Sequence, residues 1–456
     1  MNESKYERGG ASPQSNGFRE GTGEALPHPD LGPLPEDWQV VRLGEVAQIE
    51  MGQSPPSITY NSSGVGLPFF QGKADFGDIH PTTRKWCSSP GKIAEKNDIL
   101  LSVRAPIGDV NIATQRCCIG RGLAAIRAGT KSESEYLFYH LLFSQEFLES
   151  KGTGTTFKQI NKETVINFLI PLPPLPEQRA IARVLTAIQR AIEATEQVIA
   201  AARELKKSLM RHLFTYGPVP VGAQRAVGAR FPVGAQRAVP QQETEIGPLP
   251  AHWQVVRMGE VANKPEYGYT ASAVSDVVGP KFLRITDIQN GIVNWATVPY
   301  CQCLKDDEQR YKLETGDILI ARIGATTGKT YLVKDCPSSI FASYLIRIRC
   351  KSTLLPDFLS QLAETQIYWD QINASKGGRL KQGVNIPVLQ NLLLPLPPLP
   401  EQRAIAEMLR AVDEKIQAEE NRKAALQSLF RSMLHHLMTG KVRVWAQRRC
   451  APTTEA

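Results

Sequence analysis

Histidine, cysteine and aromatic side chains are sparse in this chain, and none is arranged for chemistry. The 456 residues hold seven histidines, eight cysteines and 7% aromatics. The cysteines are Cys87, Cys117, Cys118, Cys301, Cys303, Cys336, Cys350 and Cys450. They include no two C-x-x-C pairs that would let four thiolates close around zinc, so free thiols are expected. The histidines form no metal-ligand cluster, and the G-x-S-x-G, H-E-x-x-H and dinucleotide glycine motifs are missing. So are the glycine-rich loop and Asn-Pro-Pro-aromatic pair of an amino-methyltransferase. No apolar run approaches the ~20 residues needed to cross a bilayer. Residues 1–31 are polar and rich in Gly and Ser without an apolar signal core, and read as a disordered leader. These absences predict a soluble, cytoplasmic, non-enzymatic chain that holds no metal and no cofactor and meets no membrane. With 42% hydrophobic and 21% charged residues the chain is long enough for two cores. A net charge of +8 is compatible with a polyanionic partner and equally with ordinary surface charge.

One segment imitates a phosphate loop. Gly324-Ala-Thr-Thr-Gly-Lys-Thr330 has three residues between its glycines where a P-loop has four, and a strand-like Tyr331-Leu-Val333 follows where a helix is needed. A tight turn or a DNA-facing glycine loop fits better. Asp98 and Asp317 precede apolar bursts in turns where Asp bonds backbone amides, a structural role rather than a catalytic one.

What the chain does have is a duplication. Gly32-Pro-Leu-Pro-Glu-Asp-Trp-Gln-Val-Val-Arg-Leu-Gly-Glu-Val-Ala47 returns, little changed, from Gly247 to Ala262. Pro171-Leu-Pro-Pro-Leu-Pro-Glu-Gln-Arg-Ala-Ile-Ala182 returns unchanged from Pro395 to Ala406, so the landmarks keep their order and nearly their spacing. Two large copies are implied, not a short solenoid array. Between these landmarks the copies diverge, as two similar frames reading two different things would. Short apolar bursts broken by Gly and Pro predict strands, and Glu135–Leu148 and Pro356–Ile372 predict helix, giving an α+β mixed fold with two similar globular domains in tandem. The Pro-Leu-Pro-Pro-Leu-Pro blocks predict stiff extended connectors of polyproline type. After each, apolar residues step by fours and threes: Ile181, Leu185, Ile188, Ile192, Thr195, Ile199, Ala202, Leu205, Leu209, Leu213, and in the second copy Ile405, Leu409, Val412, Ile416, Leu426, Leu429, Met433, Leu437 with Glu419 and Lys423 mid-seam. Two long helices pairing as an antiparallel coiled coil are predicted. The expected boundaries are a leader over 1–31, a first domain over 32–176, a helix over 177–216, a flexible linker over 217–245, a second domain over 246–400, a helix over 401–440 and a tail over 441–456.

The doubled Gly-Pro-Leu-Pro-x-x-Trp openings, Asp98–Val110, Gly316–Lys329 and the doubled Pro-Leu-Pro-Pro-Leu-Pro-Glu-Gln-Arg together resemble the specificity subunit of Type I restriction-modification systems, over nearly all of 32–440. The resemblance implies a non-catalytic DNA-binding subunit with two target-recognition domains, each reading half of a bipartite asymmetric site, and with the helices as a ruler. It implies double-stranded DNA, two methyltransferase subunits and two restriction/translocase subunits as partners. S-adenosylmethionine, ATP and Mg would belong to those partners. A specificity subunit for an orphan or Type IIB-like methylase-nuclease is an alternative, and a coiled-coil protein-interaction scaffold is another.

Duplex reading needs amide and cationic side chains at base edges and cations at phosphates. Candidates in the first copy are Gln71, Lys73, Arg84, Lys85, Arg104, Lys158 and Gln159, and in the second Arg284, Arg322, Lys329, Arg379, Lys381 and Gln382. Arg104 is paired with Arg322, for a shared backbone-positioning role or equally an intradomain salt bridge, and Lys158-Gln159 with Lys381-Gln382, for phosphate contact; any single Lys or Arg is more often a solvated surface charge than a base reader. Trp38 and Trp253 are expected in the core. Glu177-Gln178-Arg179 and Glu401-Gln402-Arg403 open the two helices, where Glu suits the positive helix end, and their identity also suits docking of two identical methylase subunits.

Overall fold

The fold was read from a computed structural model, in which residues 32–153, 158–218, 240–289, 291–375 and 383–444 are described. The leader, most of the linker and most of the tail, with Arg379, Lys381, Gln382 and Cys450, lie outside these residues. The chain divides into two compact units, Met1–Ala194 with Arg422–Ala456, and Thr195–Asn421. Each is an α+β domain with parts of both long helices packed against it.

In the first unit the repeated opening forms strand Gln39–Arg42, which pairs antiparallel with Leu169–Leu172. A four-stranded sheet follows in the order Ala47–Met51, Leu123–Ala128, Ile99–Ser102, Val110–Ile112, and a five-stranded sheet carries Leu67–Phe70 parallel to Cys117–Ile119. Helices Ser134–Phe143 and Gln145–Ser150 stand where one was predicted. Their buried Tyr136, Leu137 and Leu141 share one core with Ile99, Ile126, Ile181, Leu185, Leu434 and Leu437.

The second unit repeats this plan. Gln254–Arg257 pairs with Leu393–Leu396, and the central sheet runs Glu266–Tyr267, Leu345–Ile348, Ile318–Ala321, Thr330–Leu332. Lys281–Leu283 lies parallel to Ser339–Phe341. Its core joins Ile318, Ile346, Phe358 and Leu362 to Met210, Leu213, Ile405 and Leu409. In each unit, then, one long helix contributes its beginning and the other its end, so the helices run antiparallel within both.

The proline blocks are not polyproline connectors. Their first halves are the strands just named, and the long helices begin at Leu175 and Leu399, two residues before the predicted starts. Proline is tolerated here because a first-turn residue needs no N–H partner and a strand edge can lack one donor. The linker is also shorter than expected, since Gln241–Thr244 forms a hairpin with Gly247–Pro250.

The helical seams slip once, at the same place in both copies. Leu205 and its counterpart Leu429 are 58% and 46% exposed, while Met210, Leu213, Leu434 and Leu437 are buried. A straight helix drifts from a strict heptad, so the inward face moves on by one residue. In the second unit that face includes Lys206, whose ammonium lies 2.6 Å from Glu364 and 2.7 Å from Asp413. Mid-seam Glu419 is buried and bonds Lys415 Nζ at 2.6 Å.

Each long helix is locked at its start by the same residues. Trp38 Nε1 donates to Glu177 Oε2 at 3.1 Å, and Trp253 Nε1 to Glu401 Oε2 at 2.9 Å. Gln178 donates to Pro173 O and Lys131 O and accepts from Glu133 N. Gln402 donates to Pro397 O and Thr353 O and accepts from Leu355 N. Glu177 also receives Arg443 Nε at 2.6 Å, and the same guanidinium reaches Asp37 and holds its carboxyl below the usual range, whereas Glu401 receives His252 Nε2 at 2.8 Å. Truncating Gln178 or Gln402 takes the acceptor from a half-buried backbone amide, Glu133 N or Leu355 N. Gln178→Ala and Gln402→Ala should each cost about 1–3 kcal/mol, read as a lower urea midpoint for one unfolding transition; unchanged midpoints would contradict the clamp.

Candidate nucleic-acid interface

In both units the central sheet ends in an exposed rim built on matching backbone bonds. In the first, Val103 N donates to Gly122 O, Ile160 N donates to Val103 O, and Arg104 bridges Gln159. In the second, Arg322 N donates to Tyr344 O, Val384 N donates to Arg322 O, and Ile323 bridges Gly383. Behind each rim a glycine, Gly52 or Gly268, lies so close to neighbouring carbonyls that a Cβ would stand 2.1 Å or 2.3 Å from one, which holds this crossing to glycine.

These bonds correct two pairings made from sequence. The counterpart of Arg104 is Ile323; Arg322 corresponds to the buried Val103. The counterpart of Gln159 is Gly383, which puts Lys381-Gln382 one position out of step with Lys158-Gln159. The misalignment arose because the turns after the two strands differ in length, and a shared Arg within one residue of both ends looked like a match.

The first unit gathers its candidates. Gln71, Lys73 and Arg104 line a hollow of about 220 Å³ together with Arg121, which sequence reading missed because it follows an apolar strand without a basic neighbour. Lys158 and Gln159 are exposed, and Lys158 O accepts from Ala105 N beside Arg104. Lys73 Nζ bonds Asp109 at 2.8 Å. Arg84 and Lys85 are exposed on the approach to strand Trp86–Cys87, outside the hollow.

Among the described residues of the second unit the candidates do not gather. Arg284, the counterpart of Gln71 before the same crossing, forks onto Asp287 at 2.8 and 3.0 Å. Arg322 is half-buried with its guanidinium 4.6 Å from the centre of the Tyr267 ring. Lys329 is exposed on a separate cleft of about 750 Å³ that Lys206 and Asp413 also line.

Of the helix-opening triplets, Glu177, Gln178 and Gln402 are buried in the clamps and Glu401 is bonded to Trp253 and His252. Arg179 Nε bonds Glu133 at 3.1 Å from an exposed position, and Arg403 is exposed.

Elements that could have carried catalysis are occupied by structure. Thr327 N and Oγ1 both bond Gly324 O in a tight turn, with Gly324 and Gly328 at positive φ and strand Thr330–Leu332 following. Asp98 Oδ2 accepts Glu95 N and pairs with Arg127, while Asp317 accepts Glu314 N and pairs with Arg349. Burial pushes the Cys117 and Cys118 thiols up to about 12, and the described cysteines are free. Among the described residues no group of three or more His, Cys, Asp or Glu could hold a metal ion, and no helix is long and apolar enough to cross a membrane.

Comparison with known proteins gives a consistent result. The family model of the Type I restriction modification DNA specificity domain matches twice, at residues 35–203 and 250–428. A putative type I restriction enzyme MjaX specificity subunit of Methanocaldococcus jannaschii is 46% identical over 189 residues, which span 41% of this chain and 44% of that relative. The type I restriction enzyme MjaVIII specificity subunit of the same organism is 26% identical over 419 residues, 90% of this chain and 94% of the relative. A solved Type-I restriction-modification system S subunit from M. genitalium shares the fold with a TM-score of 0.60 at 16% identity, covering 88% of this chain and 96% of that one.

Proposed function

The chain belongs to the Type I restriction modification DNA specificity family, and from that premise we propose that it reads a bipartite, asymmetric duplex site, one half with each domain, and directs partner adenine methyltransferase and restriction subunits to it. As a member of the family it is a specificity subunit and not a catalytic one. The observation that carries the finer reading is the pair of sheet-end rims, alike in backbone and unlike in side chains, which suits one architecture reading two half-sites. The cationic hollow of the first domain supports DNA as the ligand: Arg104 and Arg121 offer planar forks for base edges, and Lys158 a point charge for phosphate. Two methyltransferase subunits would dock on the equivalent surfaces that carry Arg179 and Arg403, and two restriction subunits would join them in a cytoplasmic complex. S-adenosylmethionine, ATP and Mg would sit on those partners. Arg379, Lys381 and Gln382 remain candidates for DNA contact in the second domain.

Separation of the half-sites would be set by the helices. The first has 42 residues, hence a length of about 63 Å at ~1.5 Å per residue, against the ~34–36 Å between half-sites one turn apart. A heptad inserted near Ile199, with a matching insertion in the second helix, should change the number of unread bases or abolish methylation; methylation with unchanged spacing contradicts the ruler. Lys158→Ala should weaken binding to all sequences alike and lower the salt slope by about 1, while Arg104→Ala and Arg121→Ala should relax base preference in one half-site at a cost of about 1–3 kcal/mol. Titration of duplexes at several salt concentrations checks this, and three variants that bind as the parent does would remove the hollow from the DNA interface.

A further inference from the structure

The two rims can be compared position by position, because the same ladder of backbone bonds runs through both. Gly120 N donates to Phe70 O, and Ala342 N donates to Leu283 O; Leu123 N donates to Gly120 O, and Leu345 N donates to Ala342 O. With the bonds at Val103 and Arg322, this register sets Gln71 against Arg284, Arg104 against Ile323, Arg121 against Ser343, and Gly122 against Tyr344. The first domain thus presents Gln71, Arg104 and Arg121 around its hollow. At the same positions the second presents an arginine already forked onto Asp287, an isoleucine, a serine and a tyrosine.

Ile323 and Tyr344 are 40% and 53% exposed, and they offer an apolar side chain and a large aromatic face. They are adjacent through the backbone, since Arg322, which precedes Ile323, donates to Tyr344 O at 2.9 Å. In the first domain no side chain fits at the corresponding glycine, where a Cβ would stand 2.4 Å from Gln71 O. A side chain at position 344 therefore belongs to the second domain's own surface. A singly exposed apolar residue is ordinary, but two side by side on one rim offer a contiguous contact surface. The surface is continuous with the rim that faces DNA in the proposed reading, so the occupant must be an apolar feature of a duplex. Phosphates are charged and base edges otherwise carry donors and acceptors, and the C5 methyl of thymine is the apolar group that the major groove displays.

We infer that Ile323 and Tyr344 are specificity residues of the second domain, and that they read thymine through its C5 methyl group in the half-site which that domain contacts. This rests on the DNA-reading function proposed above. The first domain reads its half-site chiefly through donors, the second partly through apolar contact, and the two half-sites differ in chemistry as the rims do.

Replacing thymine by uracil removes that methyl and leaves every hydrogen-bonding group in place. The full chain, assembled with its methylase subunits, is footprinted on its target, and each half-site is then remade with uracil for thymine. Affinity should fall about fourfold per contacted methyl, the factor for one buried carbon of this size, in one half-site. That sensitivity should vanish in the Ile323→Ala/Tyr344→Ala double variant and persist with Ile323→Val. Equal affinity of the parent for thymine and uracil duplexes overturns the inference without any variant, as does a half-site difference that survives the double substitution. A chain with no sequence-specific footprint overturns the DNA reading itself, and the inference with it.

Discussion

A carboxylate at the first turn of each long helix, bonded to a tryptophan indole, is the constraint from which the rest of the architecture follows. An ionised Glu177 with no exposed surface would be strongly unfavourable in a core without partners. The Trp38 indole and the Arg443 guanidinium supply them, as the Trp253 indole and the His252 ring do for Glu401. Because tryptophan comes from the opening of the domain and glutamate from its closing helix, the bond fixes the direction in which the helix leaves. The neighbouring glutamine adds three bonds to backbone groups and ties that same turn to the segment that leads into helix Ser134–Phe143. Gly217 and Gly440, both at positive φ, end the helices against these openings: a Cβ on Gly440 would meet Pro35 at 2.5 Å, and one on Gly217 would meet Glu401 at 3.4 Å.

On this frame the inserts are free to vary. The central sheet keeps its strand order in both domains, and the crossing glycines Gly52 and Gly268 keep the rim backbone in one place. The exposed side chains of the rims, Arg104 and Arg121 in one domain and Ile323 and Tyr344 in the other, lie outside the cores, so changing them would alter the surface with little effect on the fold. The buried Arg347 shows the opposite case. It stands where the first domain has Ala125, and it pairs with Glu266 and bonds the carbonyls of Arg310 and Lys312, tying a second-domain helix to the sheet.

Much of this was legible in the sequence because repetition amplified it. The doubled openings, the doubled Glu-Gln-Arg and the two apolar seams pointed to the α+β class, the tandem plan and the long helices. Other features were not legible. Proline was read as a connector, though strand edge and first helical turn both accept it. Leu205 and Leu429 were assigned to the seam, because a heptad count does not register helical drift. Arg322 was matched to Arg104 from local spacing, whereas the backbone ladder sets Ile323 there. Arg121 and Tyr344 carried no motif at all, and only the register of two sheet ends makes them neighbours of the candidates. The buried roles of Glu177 and Gln178 were hidden for the same reason, since Trp38 and Glu133, their partners, are remote from them in sequence.

The central claim is that this chain chooses which DNA sequence its partners modify. Single-molecule detection of methylated bases in host DNA, with the gene present and deleted, tests it most directly. The account predicts that deletion erases methylation at one bipartite adenine motif and leaves every other motif intact; an unchanged methylome in a strain whose methylase subunits are expressed would contradict it.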